Sequence, residues 1–109
     1  MNIVYHFTTY VRGRDESLEL LRSLSSQNLI TGGYISKGVG VFEHKSFERI
    51  VRKVHFEVSF ISMSENTPLI FDIVKEICKK GYLGITCHKS EVVDEKFSQK
   101  IEAMNGVTN

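Results

Sequence analysis

Three of the four histidines in this sequence, His6, His55 and His88, lie in stretches that alternate apolar and polar residues as β-strands do. Neutral imidazole is a good ligand for copper or zinc. Three imidazoles on neighbouring strands would bind such a divalent cation and leave one position for water, with Glu57 as an acidic neighbour. Half-buried histidines also serve as hydrogen-bonding groups at protein interfaces, and both readings are open for these three. Cys78 falls in a helical stretch. Cys87 points to the face opposite His88, so neither thiol joins the set.

A second candidate is the glycine-bearing segment from Gly32 to Gly40. Backbone N–H groups of Lys37, Gly38 and Gly40 in a turn could cradle a small anion or a nucleotide phosphate, with Lys37 or Lys45 adding charge. No Gly-x-Gly-x-x-Gly or Walker pattern accompanies them, and a bend or bulge used in assembly fits the same residues. Nothing pairs a nucleophile with a base. Ser17, Ser23 and Ser46 have no evident partner, and Glu43-His44 alone is a common pair, so catalytic residues are not assigned. Arg49, Arg52 and Lys53 form a local basic cluster beside an alternating strand. Its aromatics, Phe56 and Phe60, fall on the core side, which argues against base stacking and a nucleic-acid partner.

The elements that must position these residues follow from periodicity. Asn2 to Val11 reads as a strand with Ile3, Tyr5, Phe7 and Val11 on one face and Val4, His6, Thr8 and Tyr10 on the other. Asp15 is placed to cap a helix whose stripe is Leu18, Leu20, Leu21 and Leu24 and which ends at Ser25-Ser26-Gln27-Asn28. Leu29 to Ile35 reads as a short strand in which Gly32-Gly33 marks a bulge or a close approach. Between Glu43 and Arg52 either a long bent strand or a hairpin fits. Val54, Phe56, Val58 and Phe60 then alternate with His55, Glu57 and Ser59.

Thr67-Pro68 starts a second helix with a stripe of Leu69, Ile70, Ile73, Val74 and Ile77, stopped by Gly81. Tyr82 to Lys89 is the last core strand. Asp94 caps a short terminal helix with Phe97, Ile101 and Met104, and residues 105–109 are expected to fray. The order β-α-β-β-α-β is that of a ferredoxin-like split β-α-β antiparallel sandwich with a short C-terminal helix, one domain over residues 1–104. Its core is expected to comprise Phe7, Leu21, Leu24, Val54, Phe56, Val58, Phe60, Ile70, Ile73, Val74, Ile77 and Ile85. The sheet face away from the helices, with Val4, His6, Tyr10, His55, Ser59 or Ile61, Tyr82 and His88, is expected to need a partner.

Bulk composition agrees. The chain has 109 residues, and 14 Lys/Arg against 13 Asp/Glu give it no global field for a polyanion. It contains no apolar run of bilayer length, and its two cysteines do not resemble a disulfide scaffold, so a cytoplasmic location is expected.

Several passages resemble the CutA divalent-cation tolerance family. Leu29-Ile30-Thr31-Gly32-Gly33-Tyr34 is similar to the family's Leu-Ala-Ala-Cys-Val-Asn type of segment, with Gly32 at the cysteine position and Tyr34 at the asparagine. Ser36 to Ser62 resembles its long central strand pair, Gly81 to Thr86 its last core strand, and Asp94 to Met104 its terminal helix. The resemblance implies a homotrimer of ferredoxin-like subunits with a role in cation tolerance or assembly rather than turnover. The chain is similar in plan to the PII-like regulators as well, which would imply a nucleotide or small anion at a subunit cleft.

Overall fold

A computed structural model describes the backbone of residues 3–43, 50–79 and 82–108, and the side chains of residues 3–39, 54–79 and 84–103. The elements run β1 (Ile3–Val11), α1 (Arg14–Ser26), β2 (Gly33–Glu43), β3 (Ile50–Ser62), a single 3₁₀ turn (Ser64–Asn66), α2 (Thr67–Cys78), β4 (Tyr82–Glu91) and α3 (Glu95–Thr108). The strands form one antiparallel sheet in the order β2-β3-β1-β4, the ferredoxin-like architecture that the element order implies.

Helices α1 and α2 cover one face of the sheet. Their stripes, Leu20 and Leu24 from α1 and Ile70, Ile73, Val74 and Cys78 from α2, bury Phe7, Val11, Val58 and Phe60. Phe7 and Phe60 are cross-strand partners with ring centroids 5.4 Å apart. Leu21, Ile77 and Ile85 pack against this core from its margin. Leu29 and Ile30 are buried too, though they precede β2 rather than forming part of it. Asn28 turns there at φ 60°, and the buried Ser62 hydroxyl donates to the Leu29 carbonyl at 2.5 Å. The carbonyl of buried Leu29 thereby finds its partner inside the molecule.

The helix starts differ by a residue or two from those expected. Gly13, not Asp15, occupies the position before α1, in extended conformation, while Ser17 Oγ donates back to the Gly13 carbonyl at 2.7 Å. Asp15 and Glu16 lie instead in the first turn, where negative charge favours the helix dipole. For α2 the 3₁₀ turn shifts the cap position to Asn66, and Thr67 Oγ1 donates to the Ser64 carbonyl. Lys79, at φ 48°, supplies the left-handed exit from α2; the stop expected at Gly81 lies outside the described residues. At α3 the expectation holds: Asp94 Oδ1 accepts from the N–H groups of Lys96 and Phe97 at 2.9 and 3.3 Å. That helix continues to Thr108.

Gly33 is the close approach that the glycine pair suggested. A Cβ there would lie 2.7 Å from Leu21 Cδ2 and 2.8 Å from the Ser59 carbonyl oxygen, and the latter belongs to backbone that cannot swing aside. Gly33→Ala is expected to lower stability by about 1–3 kcal/mol through overpacking. Gly32→Ala, where a Cβ meets nothing within 4 Å, is the matched comparison in a urea melt. Equal stability of the two variants would contradict the approach.

β2 and β3 are long. They pair residue for residue from Gly33↔Phe60 to Glu43↔Ile50, resolving the middle of the chain as a hairpin. β1 meets β3 only as far as Val11↔Phe56, so residues 50–55 and their β2 partners extend beyond the sheet as an arm about 20 Å long at 3.3 Å per residue. The molecule accordingly measures 48 × 25 × 22 Å. Val54 lies on this arm, 46% exposed, and is not a core residue as its alternation suggested; Phe56, at the arm's root, is half-buried.

Candidate functional site

The sheet face away from α1 and α2 carries alternate residues of each strand, and the register arranges them in rows. At one end Val4 and Ile61 are covered by Val92 and by Phe97 and Ile101 of α3. This end was expected to await a partner, but the chain's own C-terminal helix closes it. The next row is His6 with His88, direct partners on β1 and β4, their rings stacked with centroids 4.9 Å apart and planes within 1°. Thr8, Ser59 and Thr86 follow, then Tyr10 opposite Glu57. At the root of the arm, His55 faces Gly38.

The three histidines therefore share a face without converging. Ile61, not His55, lies opposite His6, and His55 is six residues away along β3, about 20 Å. A single site formed by His6, His55 and His88 of one chain is replaced by a pair and a separate residue. Among the described residues no group of three or more His, Cys, Asp or Glu side chains could hold a metal ion. Cys87 pairs with Phe7 on the opposite face and is exposed, and Cys78 is buried in the core.

The anion-cradling turn is replaced as well. Lys37, Gly38 and Gly40 are extended residues of β2, paired in unbroken register with Phe56, His55 and Lys53. Converging N–H groups require a turn, which this segment does not make. Gly38 instead leaves His55 without a side chain above it. A hollow of about 160 Å³ results, lined by Tyr10, Ser36, Lys37, Val39, His55 and Glu57. His55, only 4% exposed, belongs to its floor, and Glu57 Oε1 accepts a long hydrogen bond of 3.4 Å from Ser59 Oγ. Alternation alone placed His55 and Glu57 on this face. Tyr10 and Ser36 as their neighbours required the register, which local pattern does not contain.

A second hollow, of about 190 Å³, lies beside His6 between the entry to β2 and α3, walled by Tyr34, Ser59, Ile61 and Phe97. Outward positions 55, 57 and 59 of β3 are His, Glu and Ser, so none of them carries a Phe, Tyr or Trp ring for base stacking. Among the described residues no helix is long and apolar enough to cross a membrane.

No protein-family model matches the sequence, and no curated protein matches it. Solved structures do match its fold. The periplasmic divalent cation tolerance protein CutA from Archaeoglobus fulgidus superposes with a TM-score of 0.82 at 16% identity, over 93% of this chain and 97% of that one. The divalent ion tolerance protein CutA1 from Ehrlichia chaffeensis gives 0.78 at 15% identity, over 94% of each chain. CutA from Synechococcus elongatus gives 0.77 at 12%, over 95% of this chain and 91% of that one. The resemblance to CutA proteins drawn from the sequence thus holds at the level of the fold, along nearly the whole chain.

Proposed function

We propose that this chain is a CutA-like protein that assembles as a homotrimer and serves divalent-cation tolerance without catalysing a reaction. The observation that carries this reading is the agreement of fold, over 93–94% of this chain, with proteins named for cation tolerance. Assembly has a physical basis in the arm. Its β2 strand is a sheet edge, and residues 50–55 of β3 have no β1 partner, so both sides of the arm present backbone N–H and C=O groups for pairing. Edges of that length are pairing templates that native proteins cover or blunt. Val39 and Val54, cross-strand partners on the arm, are 58% and 46% exposed, and burying them against a neighbouring subunit removes apolar surface from water.

Sedimentation velocity tests the assembly. The wild-type chain is expected at three times its 12.5 kDa mass. Val54→Asp, which places a charge in the proposed contact at a position already exposed in the single chain, is expected to shift the protein toward monomer without loss of helical circular dichroism. An unchanged trimer in Val54→Asp would remove the arm from the interface.

A further inference from the structure

His6 and His88 are direct cross-strand partners, and facing residues of an antiparallel pair have Cβ atoms about 4.5–5.5 Å apart. Two nitrogens bound to one ion each lie about 2.0–2.1 Å from it, a span that two such side chains can bridge. In the stacked arrangement the ring planes are parallel and their lone pairs do not yet converge. The ring torsion χ2 of histidine is broad, so the imidazoles can tilt toward a shared ion with the backbone in place. His6 is half-buried beside Ile61 and Phe97, whereas His88 is exposed on the edge strand β4. One ligand is thus held by its surroundings and the other is open to an arriving ion.

The neighbouring rows decide which ions suit. Thr8 and Thr86 flank the pair on one side, and Val4 and Ser90 flank it on the other. Glu91 pairs with Ile3 on the opposite face, and Glu57 faces Tyr10, four residues along β1 from His6 or about 13 Å. With two imidazole nitrogens and no carboxylate in these rows, the arrangement suits nickel, copper or zinc. Calcium and magnesium require oxygen ligands.

We propose that His6 and His88 form a two-imidazole chelate for a divalent transition-metal ion, whose remaining positions are filled by water. The proposal rests on the cation-tolerance reading and supplies the ligands for it. Arm and chelate occupy separate parts of the sheet, so assembly and ion binding can fail independently.

The test is a titration of the tag-free protein with nickel(II) chloride, read by paramagnetic broadening of assigned backbone amide signals. Signals around residues 6 and 88 are expected to broaden first, and calcium chloride is expected to leave them unchanged. His88→Gln alters an exposed side chain and keeps the fold. It is expected to weaken nickel binding about a hundredfold, the order of gain from joining two binding groups. His6→Gln is expected to do the same in a sample whose circular dichroism matches wild type. Nickel bound with unchanged affinity by His88→Gln would overturn the chelate and leave cation tolerance standing. No nickel binding by the wild-type protein would overturn the chelate and, if zinc and copper also fail to bind, the cation-tolerance reading with it.

Discussion

Replacing Phe7 by alanine is expected to lower the unfolding free energy by about 3–5 kcal/mol, the largest single effect at any position considered. Phe7 is 1% exposed on a central strand, between β3 and β4. Its ring stacks on Phe60 and lies in the cluster closed by Leu20, Leu24, Ile70 and Val74. Alanine leaves a cavity whose walls come from two helices and two strands, none of which can collapse into it without disturbing the others. Val54→Ala removes fewer apolar atoms from a position that is 46% exposed in the single chain. In urea melts at equal protein concentration, Phe7→Ala is expected to unfold at much lower denaturant than Val54→Ala. Loss of less than about 1 kcal/mol at Phe7 would contradict a core centred on that ring.

The second large effect is on stability at alkaline pH. Burial of Cys78 raises its thiol from 9.0 to about 11, with smaller contributions from the negative charges of Glu16 and Glu19 on α1. The thiol is an acid whose folded value lies above its unfolded value, so the folded chain holds the proton longer. Stability from this group is complete below about pH 9. It falls as pH rises toward 11, because the unfolded chain releases its proton first. A separation of this size corresponds to about 2–3 kcal/mol once both states have titrated. Tyrosines and lysines titrate in the same range, so the informative quantity is the difference between wild type and Cys78→Ala. It should be flat below pH 9 and shift against the wild type above it. A difference that stays constant to pH 11 would contradict a buried, uncharged thiol.

What the sequence revealed, and what it did not, divides along physical lines. Leu20, Leu24, Ile70, Ile73 and Val74 recur at helical spacing, and Val58 and Phe60 at strand spacing, because each element buries one face. The Asp94 cap was legible since a capping carboxylate acts within its own turn. Val54 was not legible as an exposed residue. It continues the alternation of β3 faithfully, and only the earlier end of β1 strips it of cover. Leu29 and Ile30 are buried by the loop's contacts rather than by any repeat, and Val4, with Ile61 in part, by a helix distant in sequence.

The histidines show the same limit. Alternation placed all three on one face. Their spacing along it depended on register, which joined His6 to His88 and left His55 beside Gly38. Gly38 and Gly40 were read as a bend because glycine weakens strands. Within the β2–β3 ladder, pairing along the whole hairpin prevails over that preference.

Native mass spectrometry of the tag-free protein, purified without chelators, tests the central reading most directly, since one spectrum reports both subunit number and bound ions. A trimer carrying the added mass of divalent metal is the result predicted for a CutA-like cation-tolerance protein. A monomer without bound metal across the accessible concentration range would contradict it.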